Sequence, residues 1–201
     1  TIAAGGYQTP LRAILAVTDQ ENITLQRYPL TVQQTVDSGA VFCLTDALQA
    51  VTTEGTASSL QQLLPAGLVV AGKTGTTDNL RDSWFAGFSG THVAVAWVGR
   101  DDNTPTGLTG ATGALGVWAA TMGAIDTRPL QMQPPDNIHL YYADIATGQI
   151  YNQKCDTEKA TLLPFMNNGL LPEVINCEQP DSNNLERVIQ KGINDFLDFL
   201  R

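Results

Sequence analysis

The chain has 201 residues, 43% of them hydrophobic and 15% charged, enough to bury a core of its own and unlike a disordered tail. Eleven lysines and arginines against twenty acidic residues give a net charge of -9, which argues against a surface that tracks nucleic-acid phosphates. No apolar run reaches the roughly 20 residues that cross a bilayer, so the chain reads as soluble with no membrane segment of its own, any anchor or signal lying outside it.

The opening Thr1-Ile2-Ala3-Ala4-Gly5-Gly6 has no initiator methionine and reads as the middle of a fold, so a longer parent protein is expected. Strand-like runs at 11–17 and 23–26 flank Asp19-Gln20-Glu21-Asn22, which suits a hairpin turn. Asp37 or Ser38 can cap a helix in which Val41, Leu44, Leu48 and Val51 recur at three- and four-residue spacing, ending at Gly55. Leu68-Val69-Val70-Ala71 is a buried-strand signal, followed by the polar Gly72-Lys73-Thr74-Gly75-Thr76-Thr77-Asp78-Asn79. Residues 83–88 and 91–98 pair around Ser89-Gly90, which predicts three neighbouring antiparallel strands.

A Gly/Thr-rich loop over 104–113 leads into a helix over 114–125, with Leu115, Trp118, Ala119 and Met122 at helical spacing against the sheet. Pro129, Pro134 and Pro135 break the chain, and a boundary is placed near Pro129. Residues 138–143 and 148–151 look like a further hairpin. From Leu185, the apolar Val188, Ile189, Ile193, Phe196, Leu197 and Leu200 mark a strongly amphipathic helix. Its mixed-charge polar face is unlike a membrane-surface helix, and it is read as docking on its own domain, the alternative being a partner-binding helix.

Cys155 and Cys177 share a loop-rich stretch, whereas Cys43 falls in a helical pattern. The cysteines alone leave two readings open: a Cys155–Cys177 disulfide in an oxidising compartment with Cys43 a buried thiol, or three free thiols in the cytosol.

The most informative stretch, Gly67-Leu68-Val69-Val70-Ala71-Gly72-Lys73-Thr74, literally fits the phosphate-loop pattern. That loop needs flexible backbone between its glycines and a helix starting at the Lys-Thr. Four apolar residues that favour a strand and a poor helix start after Thr74 meet neither need. The other reading takes Lys73-Thr74-Gly75-Thr76 as the end of a strand, with Lys73 and Gly75 on one face and Thr74 and Thr76 on the other. Such an edge can receive an extended peptide, with Gly75 removing a side chain and the hydroxyls and Lys73 holding a terminal carboxylate.

Lys-Thr-Gly is one signature of penicillin-binding proteins and class A β-lactamases. Gly72-Lys73-Thr74-Gly75-Thr76-Thr77, Asp82-Ser83-Trp84-Phe85-Ala86-Gly87, Trp97-Val98-Gly99-Arg100-Asp101-Asp102 and Thr109-Gly110-Ala111-Thr112-Gly113-Ala114 with Trp118 resemble, in that order, the second half of the transpeptidase domain of class A penicillin-binding proteins. Ala4-Gly5-Gly6 with Pro10-Leu11, and Glu54-Gly55-Thr56-Ala57, share the resemblance. It covers residues 1–128, and the cysteine-bearing tail over 129–201, read as a small extension, resembles the 1B type.

The resemblance implies a mixed α/β fold, an antiparallel sheet flanked by helices, with a small hairpin and helix appendage. It implies a peptidoglycan D,D-transpeptidase: a serine of Ser-x-x-Lys attacks the D-Ala-D-Ala end of a stem peptide, and β-lactams acylate the same serine. Lys73 would bond the serine of Ser-x-Asn and supply positive potential. Thr74 and Thr76, beside Gly75 and Thr77, would hold the substrate carboxylate, and the Thr76 N–H would be half of the oxyanion hole. No cofactor is implied. Partners would be stem peptides, β-lactams, the upstream half of the same domain and cell-wall regulatory proteins. The implied location is extracytoplasmic, on the periplasmic side of the inner membrane, which favours the Cys155–Cys177 disulfide. A preceding glycosyltransferase domain is implied as well.

One departure is decisive: no serine here is followed three residues later by lysine, so the nucleophile is expected outside this chain, which alone should be inactive. Ser182-Asn183-Asn184 fits Ser-x-Asn but follows the Lys-Thr-Gly, and is read as coincidence. His92 and His139 have no histidine neighbour in sequence, so no metal site is expected. Asp82, Asp101 and Asp102 read as turn residues, and Trp84, Phe85, Trp97 and Trp118 as core. The competing class is a binding or regulatory module in which the tail docks a partner.

Overall fold

The computed structural model describes residues 1–154, 160–167 and 173–176, in two compact units, Thr1–Ile138 and His139–Arg201. Cys155, Cys177, Ser182 and the amphipathic segment from Leu185 lie outside the described residues.

The first unit opens with four short strands: β1 (Tyr7–Gln8), β2 (Ala16–Thr18), β3 (Thr24–Arg27) and β4 (Gln33–Gln34). β1 pairs with β4 and β2 with β3, both antiparallel. The expected hairpin is present, but its first strand begins at Ala16 instead of Leu11; Leu11, Ile14 and Leu15 stand exposed, and the Leu15 carbonyl accepts the Tyr28 N–H at 3.0 Å. Its turn is built by Asp19, whose carboxylate accepts the N–H groups of Glu21 and Ile23 at 2.9 and 2.8 Å.

α1 (Ser38–Thr53) starts at Asp37, whose side chain accepts the Ala40 N–H at 3.0 Å. Its buried face is Val41, Thr45 and Thr52, while Leu44 of the expected apolar stripe is 45% exposed. Thr52 faces the segment leading into the next strand: its hydroxyl donates to the Val70 carbonyl at 2.9 Å and to that of Gln49 at 2.8 Å.

The Ala40 N–H holds the Asp37 carboxyl below its usual 3.8, outweighing burial, with smaller help from Asn137 and Gly39. A folded value that is depressed stabilises fully above the unfolded value and is lost as pH falls through the folded one. Asp37→Ala should therefore lower Tm near neutral pH and shrink the difference between Tm near neutral pH and Tm in strong acid. If both proteins show the same difference in thermal melts, the cap is not what titrates.

After the single turn α2 (Leu60–Leu63) come β5 (Ala71–Thr76), β6 (Ser83–Phe88), β7 (Val93–Val98) and α3 (Ala114–Ala124). The sheet order is β5-β6-β7, antiparallel throughout, with Ala71 opposite Phe88 and Thr76 opposite Ser83. The strand expected over Leu68-Val69-Val70-Ala71 begins only at its last residue. β6 turns away beyond Phe88, where the Ser89 N–H meets the His92 carbonyl, and the Val69 and Val70 carbonyls are taken by the Leu130 N–H and the Thr52 hydroxyl.

Alternation is plain along β6, where Ser83, Phe85 and Gly87 are buried and Trp84 and Ala86 exposed. Phe85 and Ala96 pack with Leu115, Trp118, Ala119 and Met122 of α3 and with Ala57, Leu60 and Val70 to make the core. Phe85 and Trp118 are core aromatics as expected, but Trp84 and Trp97 are 41% and 46% exposed. They lie on the other face of the sheet from Phe85, whereas α3 covers the Phe85 face. The architecture is mixed α/β, an antiparallel sheet flanked by α1 and α3.

In the second unit the strand order is β10 (Ala160–Met166), β8 (Ile138–Asp144), β9 (Ile150–Tyr151), β11 (Val174–Ile175). β8 and β9 form the antiparallel pair that the sequence suggests, and β11 adds parallel to β9. β10 escapes a pattern reading because Pro164 interrupts it, which an edge strand tolerates. Among the described residues no helix is long and apolar enough to cross a membrane.

Candidate active-site edge

β5 is the outer strand of its sheet, and its backbone polarity follows from one hydrogen bond. The Thr77 N–H donates to the Asp82 carbonyl at 3.1 Å, so Thr77 and Asp82 form a hydrogen-bonded pair. Such pairs alternate in an antiparallel ladder. Gly75 and Lys73, opposite Trp84 and Ala86, therefore bond to β6, and Thr74 and Thr76 turn their N–H and C=O groups outward. The Lys73 ammonium lies at that outer edge, donating to the Thr74 carbonyl at 3.0 Å and lying 3.4 Å from Thr74 Oγ1.

The structure thus brings Lys73, the Thr74 carbonyl and the Thr76 N–H to one edge, with Lys73 and Thr76 exposed. Thr74 Oγ1 is 2.8 Å from the hydroxyl of Thr56, a residue just beyond α1. Thr76 Oγ1 accepts the Gly110 N–H at 2.9 Å and keeps its own proton free to donate elsewhere. Thr77 is engaged differently, its hydroxyl accepting the Asp82 N–H at 2.8 Å and donating to Asp82 Oδ2 at 3.1 Å.

Thr56 and Gly110 stand in two of the resembling motifs, but their role in supporting β5 is not readable locally, since they meet it across separations of 18 and 34 residues. A Cβ at Gly110 would stand 2.7 Å from the Gly75 and Trp84 carbonyl oxygens, so only glycine lets this loop close on the sheet. Gly75 has its own steric reason, for a Cβ there would lie 3.1 Å from the Trp84 Cβ.

Lys73 and Thr74 sit mid-strand, so no helix N-terminus faces an anion there and the phosphate-loop geometry is absent. Asp82, Asp101 and Asp102 lie in turns. Asp102 bonds Thr104, whose hydroxyl and N–H hold its carboxyl below the usual range. His92 lies 3.0 Å from the Thr127 hydroxyl through Nδ1. Among the described residues no three His, Cys, Asp or Glu are grouped to hold a metal ion. Cys43 is half-buried rather than buried, and burial pushes its thiol up, with Asp46 adding to the shift. A cleft of about 740 Å3 lined by Val41, Phe42, Phe88, Arg128 and Leu130 lies at the Phe88 end of β6, the opposite end from Thr76.

The chain that carries this edge has relatives among known proteins. No protein-family model matches the chain. Penicillin-binding protein 1B of Vibrio cholerae is 38% identical over 169 residues, 84% of this chain and 21% of that protein. Penicillin-binding protein 1B of Escherichia coli is 38% identical over 138 residues, 69% of this chain and 16% of that protein. A crystal structure of penicillin-binding protein 1A from Haemophilus influenzae superposes with a TM-score of 0.70 at 19% identity, covering 86% of this chain and 31% of that one, a likeness of fold. The chain is a stretch of the penicillin-binding protein family. Within that family its sequence relatives named above are of the 1B type, and it spans about a fifth of the length of the Vibrio protein.

Proposed function

We propose that the chain supplies one wall of a serine D,D-transpeptidase site that cross-links peptidoglycan, with the nucleophile contributed by residues outside it. The observation that carries this reading is the outward-facing edge at Thr74 and Thr76 with the Lys73 ammonium beside it. In the proposed reaction an upstream serine attacks the carbonyl of the penultimate D-Ala of a stem peptide. The negative charge that develops on oxygen is received by the Thr76 N–H, a fixed donor that needs no reorganisation. The terminal D-Ala leaves, and the acyl group passes to an amine of a neighbouring strand. Lys73 contributes positive potential and a bond to a second upstream serine, and the free hydroxyl proton of Thr76 can reach the substrate carboxylate.

Gly75 leaves β5 flat where an extended peptide would lie, and Thr77, tied to Asp82, supports the turn more than the substrate. In this reading residues 1–128 are the catalytic part, residues 129–201 an extension, and the location extracytoplasmic. A β-lactam, mimicking the D-Ala-D-Ala end, would acylate the same serine. Intact mass after incubation with benzylpenicillin tests the reading on the chain alone and on the complete polypeptide containing it. An adduct is expected on the complete polypeptide only. A penicilloyl adduct on residues 1–201 would place the nucleophile here and overturn the proposed division, and no adduct on either would remove the transpeptidase assignment.

A further inference from the structure

The end of β5 is held by a side-chain network that the chemistry above does not use. Asp82 precedes β6, and its polar groups reach the ends of both neighbouring strands, three of them at Thr77 and one at Trp97. Its carbonyl and N–H bond the N–H and hydroxyl of Thr77 just past β5 at 3.1 and 2.8 Å, and Oδ2 accepts the Thr77 hydroxyl at 3.1 Å. Oδ1 accepts the indole N–H of Trp97, near the end of β7, at 2.9 Å. One carboxylate thereby clamps the ends of all three strands. Trp97 in turn lies across Trp84, with ring centroids 6.1 Å apart, and Trp84 is the cross-strand partner of Gly75.

The turn between Thr77 and Asp82 is strained, with Asn79 and Leu80 at φ 59° and 53°, and Leu80 is not a residue that favours the left-handed region. It persists because neighbours over-determine it: the Leu80 carbonyl accepts the N–H and hydroxyl of Thr106 at 2.8 and 2.9 Å. We infer that Asp82 is a positioning residue for acyl transfer, fixing through Thr77 the direction in which the Thr76 N–H points. This rests on the transpeptidase reading. An oxyanion donor acts only when aimed at where charge develops, and a misplacement of about 1 Å costs on the order of 100-fold in rate.

The test uses the complete polypeptide and benzylpenicillin. Asp82→Ala should lower the first-order acylation constant by about 10- to 100-fold and leave the dissociation constant of the preceding non-covalent complex unchanged. In the acyl-enzyme the ester carbonyl band should move to higher frequency, reporting weaker hydrogen bonding to its oxygen, which a purely structural role would not produce. Asp82→Asn should recover most of the rate, because its carboxamide oxygen still accepts from Trp97 and its NH2 can donate to the Thr77 hydroxyl oxygen. Trp97→Phe, which keeps the ring and removes the N–H, should shift the same carbonyl band by less and covers the case that Asp82→Ala does not fold. A folded Asp82→Ala or Trp97→Phe protein with unaltered acylation constant and carbonyl frequency would overturn the role. Failure of the unsubstituted protein to acylate would sink the transpeptidase reading and this role with it.

Discussion

Trp118→Ala should destabilise the first unit by about 3–5 kcal/mol, the range for removing a large aromatic from a packed core. Trp118 is 1% exposed on α3 and meets Phe85 edge-on, with ring centroids 4.9 Å apart. Its indole N–H donates to the Ala94 carbonyl at 3.0 Å, so truncation also strips a partner from a strand carbonyl. These two contacts make Trp118 the joint between α3 and two strands, and the cavity left behind borders Leu115, Ala119 and Met122, which are fixed by the helix backbone and cannot collapse into it. Urea unfolding at fixed temperature measures the loss. Trp118→Phe keeps the ring contact and forfeits the hydrogen bond, so its midpoint should fall between the other two. A Trp118→Ala unfolding free energy within about 1 kcal/mol of the parent, against the usual cost of such truncations, would mean that the core is not organised around this residue.

The parts of this architecture that sequence discloses are those governed by local periodicity. The helix over 114–125 is observed as Ala114–Ala124 with Leu115, Trp118, Ala119 and Met122 buried, because spacing of three and four residues leaves a helix only one face to bury. The pairing of β6 with β7 was legible from two apolar runs flanking the Ser89-Gly90 turn. What local pattern does not carry is which face of the sheet is covered. Trp84 and Phe85 are equally apolar neighbours, and only the placement of α3 makes one exposed and the other core. Likewise Leu68, Val69 and Val70 have strand propensity, yet pairing is denied to them by the turn at Ser89 and by Thr52, 18 residues upstream of Val70. At the candidate site the motif suggests roles for Lys73 and Thr76, whereas Thr56, Gly110 and Asp82 fall in resembling motifs without a role, which comes from hydrogen bonds that exist only after folding.

Replacing Lys73 by alanine in the complete polypeptide should reduce the rate of penicillin acylation by about 100- to 1000-fold, the scale on which single preorganised electrostatic groups act in acyl-transfer sites. Lys73 is exposed and, among the described residues, its ammonium bonds only the carbonyl and hydroxyl of Thr74, so its removal leaves the core between β6 and α3 intact. Tm should accordingly stay close to that of the parent, since exposed substitutions away from packed features cost about 0.5 kcal/mol or less. Lys73→Arg keeps the charge but replaces a compact ammonium with a wide planar fork, which cannot sit against the Thr74 carbonyl in the same way, so recovery should be partial. The separation of effects carries the weight: a charge that works on the transition state lowers the acylation constant, whereas one that only attracts an anionic β-lactam weakens the first complex and is offset by lower salt. Stopped-flow acylation at two ionic strengths tells these apart. A loss confined to the initial binding step and reversed at low salt would reduce Lys73 to electrostatic steering, and an unaltered acylation constant would take it out of the site.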